Sequence, residues 1–233
     1  MDTSSAFLAA FQLIAGFDAT FVGIVGLSLK VTLTAVLIAA LIGMPLGALL
    51  GLIRFPGRSV VIVVINAMMG LPPVVAGLAI FLALSRSGPL GALGLLFSPT
   101  AMIIAQTVLV LPIVIALTRQ ITEDLWTEYR EHLTSLGLTG ARAIPTLLWD
   151  GRFSLITALL AGFGRASAEV GAVLIVGGNI AGYTRTMTTS IALETSKGDL
   201  PLALGLGIVL ITLTLIINGA AYGASRIGAR FAG

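Results

Sequence analysis

The sequence predicts an all-α integral membrane protein, with about five transmembrane helices and an interfacial helix ahead of them. Three observations carry that expectation. Of 233 residues, 57% are hydrophobic and only 10% are charged, whereas soluble domains carry about 25% charged side chains; the mean hydropathy is +1.08. Five apolar stretches reach the roughly 20 residues that a helix needs to cross the hydrocarbon layer. Strand alternation is nowhere sustained, which argues against a β-barrel.

The elements follow in order. Residues 1–21 form the first region. Ser4 to Phe17 is apolar but short, holds Gln12 and is closed by Gly16 and Asp18, the pattern of a helix lying in the membrane interface. Met1 to Gly16 opens with Asp2 and lacks the basic start of a signal peptide, so it is expected to be retained. The membrane domain proper is residues 22–233. Its expected spans are Val25 to Ile53, Val60 to Leu84, Thr100 to Leu117, Phe153 to Val176 and Pro201 to Tyr222. Two connections are long. In residues 118–152 the apolar positions Ile121, Leu125, Tyr129, Leu133 and Leu136 recur at helical spacing, predicting an amphipathic helix ended by Gly137. In residues 177–200, Gly177-Gly178-Asn179 leads to Thr188-Thr189-Ser190, whose hydroxyls are expected to cap a short helix through Leu193 to Ser196.

Charge sets orientation and excludes some functions. With five spans, one side collects Arg54, Arg58, Arg119, Arg130, Arg142, Arg152, Arg226 and Arg230, and the other Lys30, Arg86, Arg185 and Lys197. Positive residues accumulate in the cytoplasm, so the N-terminus is expected outside and the C-terminus inside. The cations never cluster into a stripe, so no nucleic acid partner is expected. There is no cysteine, P-loop, HExxH or GxSxG pattern, and the single histidine, His132, has no nearby partner in sequence. Neither a catalytic residue nor a metal site is predicted.

Some residues stand out within the apolar runs. Arg165 and Glu169 lie four apart on one helical face, with Arg165 roughly 18 Å into its span at 1.5 Å per residue. An ionisable residue at that depth costs about 2.5–3.5 kcal/mol on insertion scales. The two are either part of a pathway or gate, or a buried pair that fixes packing. Pro72 and Pro73 remove two backbone donors in mid-span and kink or open the helix, for a path or for packing. Gly43, Gly47 and Gly51 form overlapping GxxxG steps that allow close helix approach.

The stretch Glu131 to Pro145, EHLTSLGLTGARAIP, resembles the coupling loop of ABC-importer permeases, although His132 and Leu133 replace the usual alanines and Trp149-Asp150 the usual leucine-proline close. Gly70 to Gly77, Ser85 to Gly91, Ser98 to Gln106, Gly162 to Ala172, Val176 to Arg185 and Ile191 to Asp199 are similar to the permease subunits of tungstate importers. Molybdate and sulfate permeases share the helical plan. The resemblance implies a type I ABC-importer permease fold in a bacterial inner membrane. It implies a homodimer working with a cytoplasmic ATPase dimer, which binds ATP and Mg, and with an external oxyanion-binding protein. No cofactor belongs to this chain.

It further implies that Glu131, Leu133, Leu136, Gly137 and Ile144 couple to the ATPase, and that Pro72, Pro73, Arg165 and Glu169 lie on or gate an oxyanion path. Asn179, Arg185 and Lys197 would steer the anion or meet the binding protein, unless they are simply solvated. An ion-coupled secondary transporter or a channel is the alternative; it requires its own coupling-ion site, and Glu169 is the sole acid within a predicted span.

Overall fold

The computed structural model describes residue 16 and residues 18–231, with side chains to residue 223. The interfacial helix expected over Ser4 to Phe17 thus lies outside the described residues apart from Gly16. Every regular element among the described residues is helical: α1 (Ala19–Leu52), α2 (Arg58–Met69), α3 (Pro73–Leu84), α4 (Pro99–Ser135), α5 (Ile144–Asp150), α6 (Arg152–Ser167), α7 (Gly171–Gly177), α8 (Met187–Lys197) and α9 (Leu200–Phe231), with short 3-10 turns at Gly91–Leu93 and Gly140–Ala143. Among the described residues three helices are long and apolar enough to cross a membrane alone, and up to five spans result if each of two bent pairs counts as one. The protein is a multi-pass membrane protein.

The first span begins six residues earlier than its hydrophobic run, because Asp18 supplies a start signal. Its Oδ2 accepts from the backbone N–H groups of Thr20 at 3.1 Å and Phe21 at 3.2 Å, satisfying donors that no helical carbonyl can reach. Ala19, Thr20 and Phe21 therefore belong to α1 and not to the preceding region.

The second and fourth expected spans are each two helices. After α2 ends at Gly70, Pro72 is extended (φ −61°, ψ 125°) and Pro73 opens α3, so the chain turns by 103° at the break. A proline is pre-set for the first helical position and cannot continue a helix from behind. Between α6 and α7 the chain turns by 60° over residues 168–170.

The third span and the amphipathic helix of the 118–152 connection are, by contrast, one helix. α4 runs 37 residues, roughly 55 Å at 1.5 Å per residue, beyond the hydrocarbon thickness. It ends as the sequence predicts. Gly137 has φ +77°, its N–H donates to Thr134 O at 3.0 Å and the N–H of Leu138 donates to Leu133 O at 2.9 Å. That pair of bonds is a Schellman motif. The short helix of the 177–200 connection starts earlier than expected: Thr186 is its N-cap in a capping box with Thr189, and α8 begins at Met187.

The chain divides into two compact units. The first, residues 1–35, 72–106 and 166–217, packs Phe21, Ile24, Met187 and Leu206 into one cluster. There the Ser28 hydroxyl donates to Ile24 O at 2.8 Å and accepts from Met187 N–H at 2.7 Å, tying the start of α8 to α1. The second, residues 36–71, 107–165 and 218–233, is built on a close approach of α1 to α4. A Cβ on Gly43 would stand 2.9 Å from Val114 Cγ1, on Gly47 2.6 Å from Ile115 O, and on Gly51 2.5 Å from Thr122 Oγ1. Lipid tails are as apolar as leucine, so such dense packing, and not burial from water, holds membrane helices together.

This contact predicts opposite results for two glycines of α1. Gly47→Ala would push methyl carbon into a neighbouring backbone, and overpacking costs about 1–3 kcal/mol. Gly26→Ala meets nothing within 4 Å. Thermal unfolding in detergent is expected to show a lowered midpoint for Gly47→Ala and an unchanged or raised midpoint for Gly26→Ala.

Candidate translocation and coupling sites

Pro72, Pro73 and Glu169 come together in the first unit, because the two short helices that follow the breaks pack side by side. A Cβ on Gly171 would stand 2.8 Å from Val74 Cγ2, and one on Gly77 2.7 Å from Ala172 Cα, so the first turns of α3 and α7 touch. Glu169 stands in the break itself. It is 2% exposed, and its Oε1 accepts from Ala172 N–H at 2.8 Å, so a carboxylate occupies the positive end of α7. The Thr188 hydroxyl donates to Glu169 O at 2.8 Å, and Gln106 Nε2 donates to Ala166 O at 3.1 Å.

This corrects the spacing argument for Arg165 and Glu169. α6 ends at Ser167, so no continuous helical face carries both. Arg165 is half-buried in the last turn of α6, and Glu169 caps the next helix. A period of 3.6 residues cannot reveal where a helix stops, and neither proline nor a strong cap signal marks residues 168–170.

The three residues assigned to the external connection have different settings. Lys197 Nζ lies 3.0 Å from Glu194 Oε1, a carboxylate held in a buried residue, so its charge is committed locally. Asn179 takes φ +49° after Gly178 at φ +70°, a left-handed turn that asparagine and glycine tolerate. The Thr184 hydroxyl closes this turn, donating to Gly177 O at 2.6 Å and accepting from Ile180 N–H at 2.9 Å. Arg185 lines a cleft of about 420 Å³ together with Thr20, Gly23, Gly182 and Tyr183. Its Nε is buried with no hydrogen-bond partner among the described residues. Of the three, Arg185 keeps donor capacity beside open space.

In the second unit the coupling residues also separate. Leu133 is 6% exposed and packs with Ala143 and Leu147, flanked by Leu52, Leu125, Trp126 and Leu138. It anchors the tip of α4 inward and is not a surface knob, which the amphipathic spacing could not tell. Leu136 is 64% exposed, Glu131 and Gly137 are exposed, and Ile144, at the start of α5, is half-buried. Sequence reasoning missed Trp149, which is 72% exposed. The Arg152 guanidinium lies 4.9 Å from its ring and 4.5 Å from the Phe153 ring, and Nη1 donates to Trp149 O at 2.7 Å. Trp149 was legible only as a departure from the leucine-proline close. Beside these, Tyr129, His132, Thr146 and Asp150 line a small cleft. Among the described residues no three His, Asp or Glu side chains gather to hold a metal ion.

No family model matches the chain, but individual proteins do. It is 41% identical to a probable anion ABC transporter permease protein of Haloferax volcanii, over 90% of each chain. It is 40% identical to the tungstate uptake system permease protein TupB of Peptoclostridium acidaminophilum, over 93% of this chain and 95% of the other. It is 37% identical to TupB of Campylobacter jejuni over 71% and 69% respectively.

Two outcomes follow from the geometry. Glu169→Ala strips the cap from α7, at a cost of about 0.5–2 kcal/mol for a lost N-terminal cap, whereas Glu169→Gln retains an acceptor and is expected to unfold closer to wild type in detergent melts. Leu133→Ala removes a buried side chain, which costs about 2–5 kcal/mol; Leu136→Ala is expected to leave the melting midpoint nearly unchanged.

Proposed function

The chain belongs to the anion-permease family of ABC transporters, and on that premise we propose that it is the membrane-spanning subunit of an ATP-driven importer of tungstate. The observation that carries this reading is the 40% identity to a tungstate uptake permease over nearly the full length of both chains. Two copies form the translocation path between them. The N-termini face outward and the C-termini the cytoplasm of a bacterial inner membrane, in keeping with the eight arginines on the side of the 118–152 connection.

ATP and Mg²⁺ are bound by two copies of a separate cytoplasmic ATPase, and the anion arrives on an external binding protein. What this chain contributes is mechanical. Closure of the ATPases pushes on the exposed residues Glu131, Leu136 and Trp149, while Leu133 and the Schellman turn at Gly137 hold the tip of α4 to the segment that follows. The push passes directly into the helix that carries Gln106 at its apolar level, since α4 has no break between Ser135 and Pro99.

On the outer side, Arg185 lines an open cleft and offers its guanidinium charge to a dianion leaving the binding protein. The breaks at residues 70–72 and 168–170 form the gate, with Arg165 and Glu169 flanking it. A carboxylate at the gate opposes lasting residence of a dianion, which suits a path that must release its cargo.

Transport into proteoliposomes tests this, using the chain with its ATPase and binding protein. Tungstate uptake is expected only with ATP and to exceed molybdate and sulfate uptake; uptake without ATP, or failure to co-purify with any ATPase, excludes the reading. Leu136→Ala and Trp149→Ala are expected to lower ATPase co-purification at an unchanged melting midpoint.

A further inference from the structure

A second place in the molecule combines an apolar trench with a cationic rim, and the ATP-driven cycle has no use for it. It lies in the second unit, where α1 ends and α2 begins. A cleft of about 350 Å³ there is lined only by apolar side chains, among them Leu46, Leu50, Ile53, Phe55, Ile65 and Ile115. At its rim Arg58 Nε donates to Leu50 O at 2.7 Å, which pins the guanidinium beside a cleft residue. Arg58 Nη2 also lies 3.3 Å from Glu123 Oε1, and Arg119 Nη1 lies 2.5 Å from Glu123 Oε2.

Two guanidinium groups on one carboxylate leave a positive excess, and the exposed Arg54 adds to it. Asp124, also exposed, is the nearest further acid in sequence. Arg58 and Arg119 are each 21% exposed, and Arg119 Nε is buried with no partner among the described residues. α2 starts beside them from Gly57 with no side-chain cap.

The vertical order matches an amphiphile. Arg54 directly follows the apolar run of α1, and Arg119 comes two residues after the apolar run Thr100 to Leu117. The cations therefore sit where hydrocarbon gives way to headgroups, and the cleft opens on the apolar side of them. The alternative occupant, a helix from a second copy, would have to bring a carboxylate to this rim on an apolar face. The apolar helices α2, α3 and α9 contain no Asp or Glu.

We propose that this cleft binds one anionic phospholipid, an acyl chain lying along Leu46, Leu50 and Ile65 and the phosphate meeting Arg54, Arg58 and Arg119. The cations near the membrane surface favour an anionic headgroup by about fivefold for each arginine engaged, and the apolar lining adds affinity that a free phosphate ester lacks. Occupancy fixes the break between α1 and α2, where Arg58 Nε donates to Leu50 O.

Native mass spectrometry of the detergent-purified chain, titrated with phosphatidylglycerol or phosphatidylcholine of identical acyl chains, tests the site. Phosphatidylglycerol is expected to be retained at least fivefold better. Arg54→Gln, an exposed position, is expected to reduce that preference about fivefold, and Leu50→Trp to reduce retention of both lipids by filling the cleft. Excess glycerophosphoglycerol, the headgroup without chains, is expected to displace nothing.

Equal retention of the two lipids overturns the proposal. So does displacement by the headgroup alone, which identifies a site for small anions. A disulfide between two copies of the Leu46→Cys variant, the only thiol in an otherwise cysteine-free chain, identifies a second copy as the occupant and overturns it equally.

Discussion

A helix that breaks inside a membrane leaves backbone donors and acceptors with no water to take them, and this constraint organises the chain. Each break has its own solution. At residues 70–72 the donors are removed or reused: Pro72 and Pro73 have none, Gly70 and Leu71 fold back on Ala67 O and Met68 O, and the N–H groups of Val75 and Ala76 both reach Pro72 O. At residues 168–170 side chains do the work, with Gln106 on Ala166 O near the end of α6, Glu169 on Ala172 N–H in the first turn of α7 and Thr188 on Glu169 O. The second solution draws on three separate segments, so it ties α4, α7 and α8 together around one point.

The same polar economy explains why the ionisable groups are arranged as they are. Glu169 is needed as a cap, Glu194 takes up the charge of Lys197, and Glu123 bridges Arg58 and Arg119. Positive charge remains at Arg185 on one unit and around Arg54, Arg58 and Arg119, the last two of which share one carboxylate, on the other. A transporter for a dianion gains from this, because a sparse positive surface guides the anion without the full set of ligands that would hold it.

Mechanical continuity comes from packing. Gly43, Gly47 and Gly51 let α1 press against α4 closely enough that a methyl group would collide with its side chains or, at Gly47, with its backbone, and Leu133 and Leu138 lock the tip of α4 onto α5 and its neighbouring turn. A load at Leu136 or Trp149 therefore meets a stiff element and not a loose loop. The breaks and the continuous helix α4 lie in different parts of the sequence.

Much of this was legible in the residues themselves. The helical class, the apolar runs, the close-packing glycines and the turn at Gly137 follow from composition, spacing and a conformation that only glycine adopts readily, all of them local properties. The family resemblance was carried by strings such as GLPPVVAG and GFGRASAEVGA, and the relatives agree with it. Tertiary structure decided the rest. Whether Arg165 and Glu169 share a helix depends on Gln106 and Thr188, which lie about 60 and 20 residues away in the chain and make the break affordable. Whether Leu133 or Leu136 faces a partner depends on which neighbour, Leu147 or solvent, stands across from it. Which segments enter the membrane can be read from the residues alone, because transfer from water is a property of each segment. Where the fourth span breaks, and which of Leu133 and Leu136 is left free, is a matter of tertiary structure, because the groups that satisfy the break and cover Leu133 include Gln106, Thr188 and Leu147, which lie far along the chain.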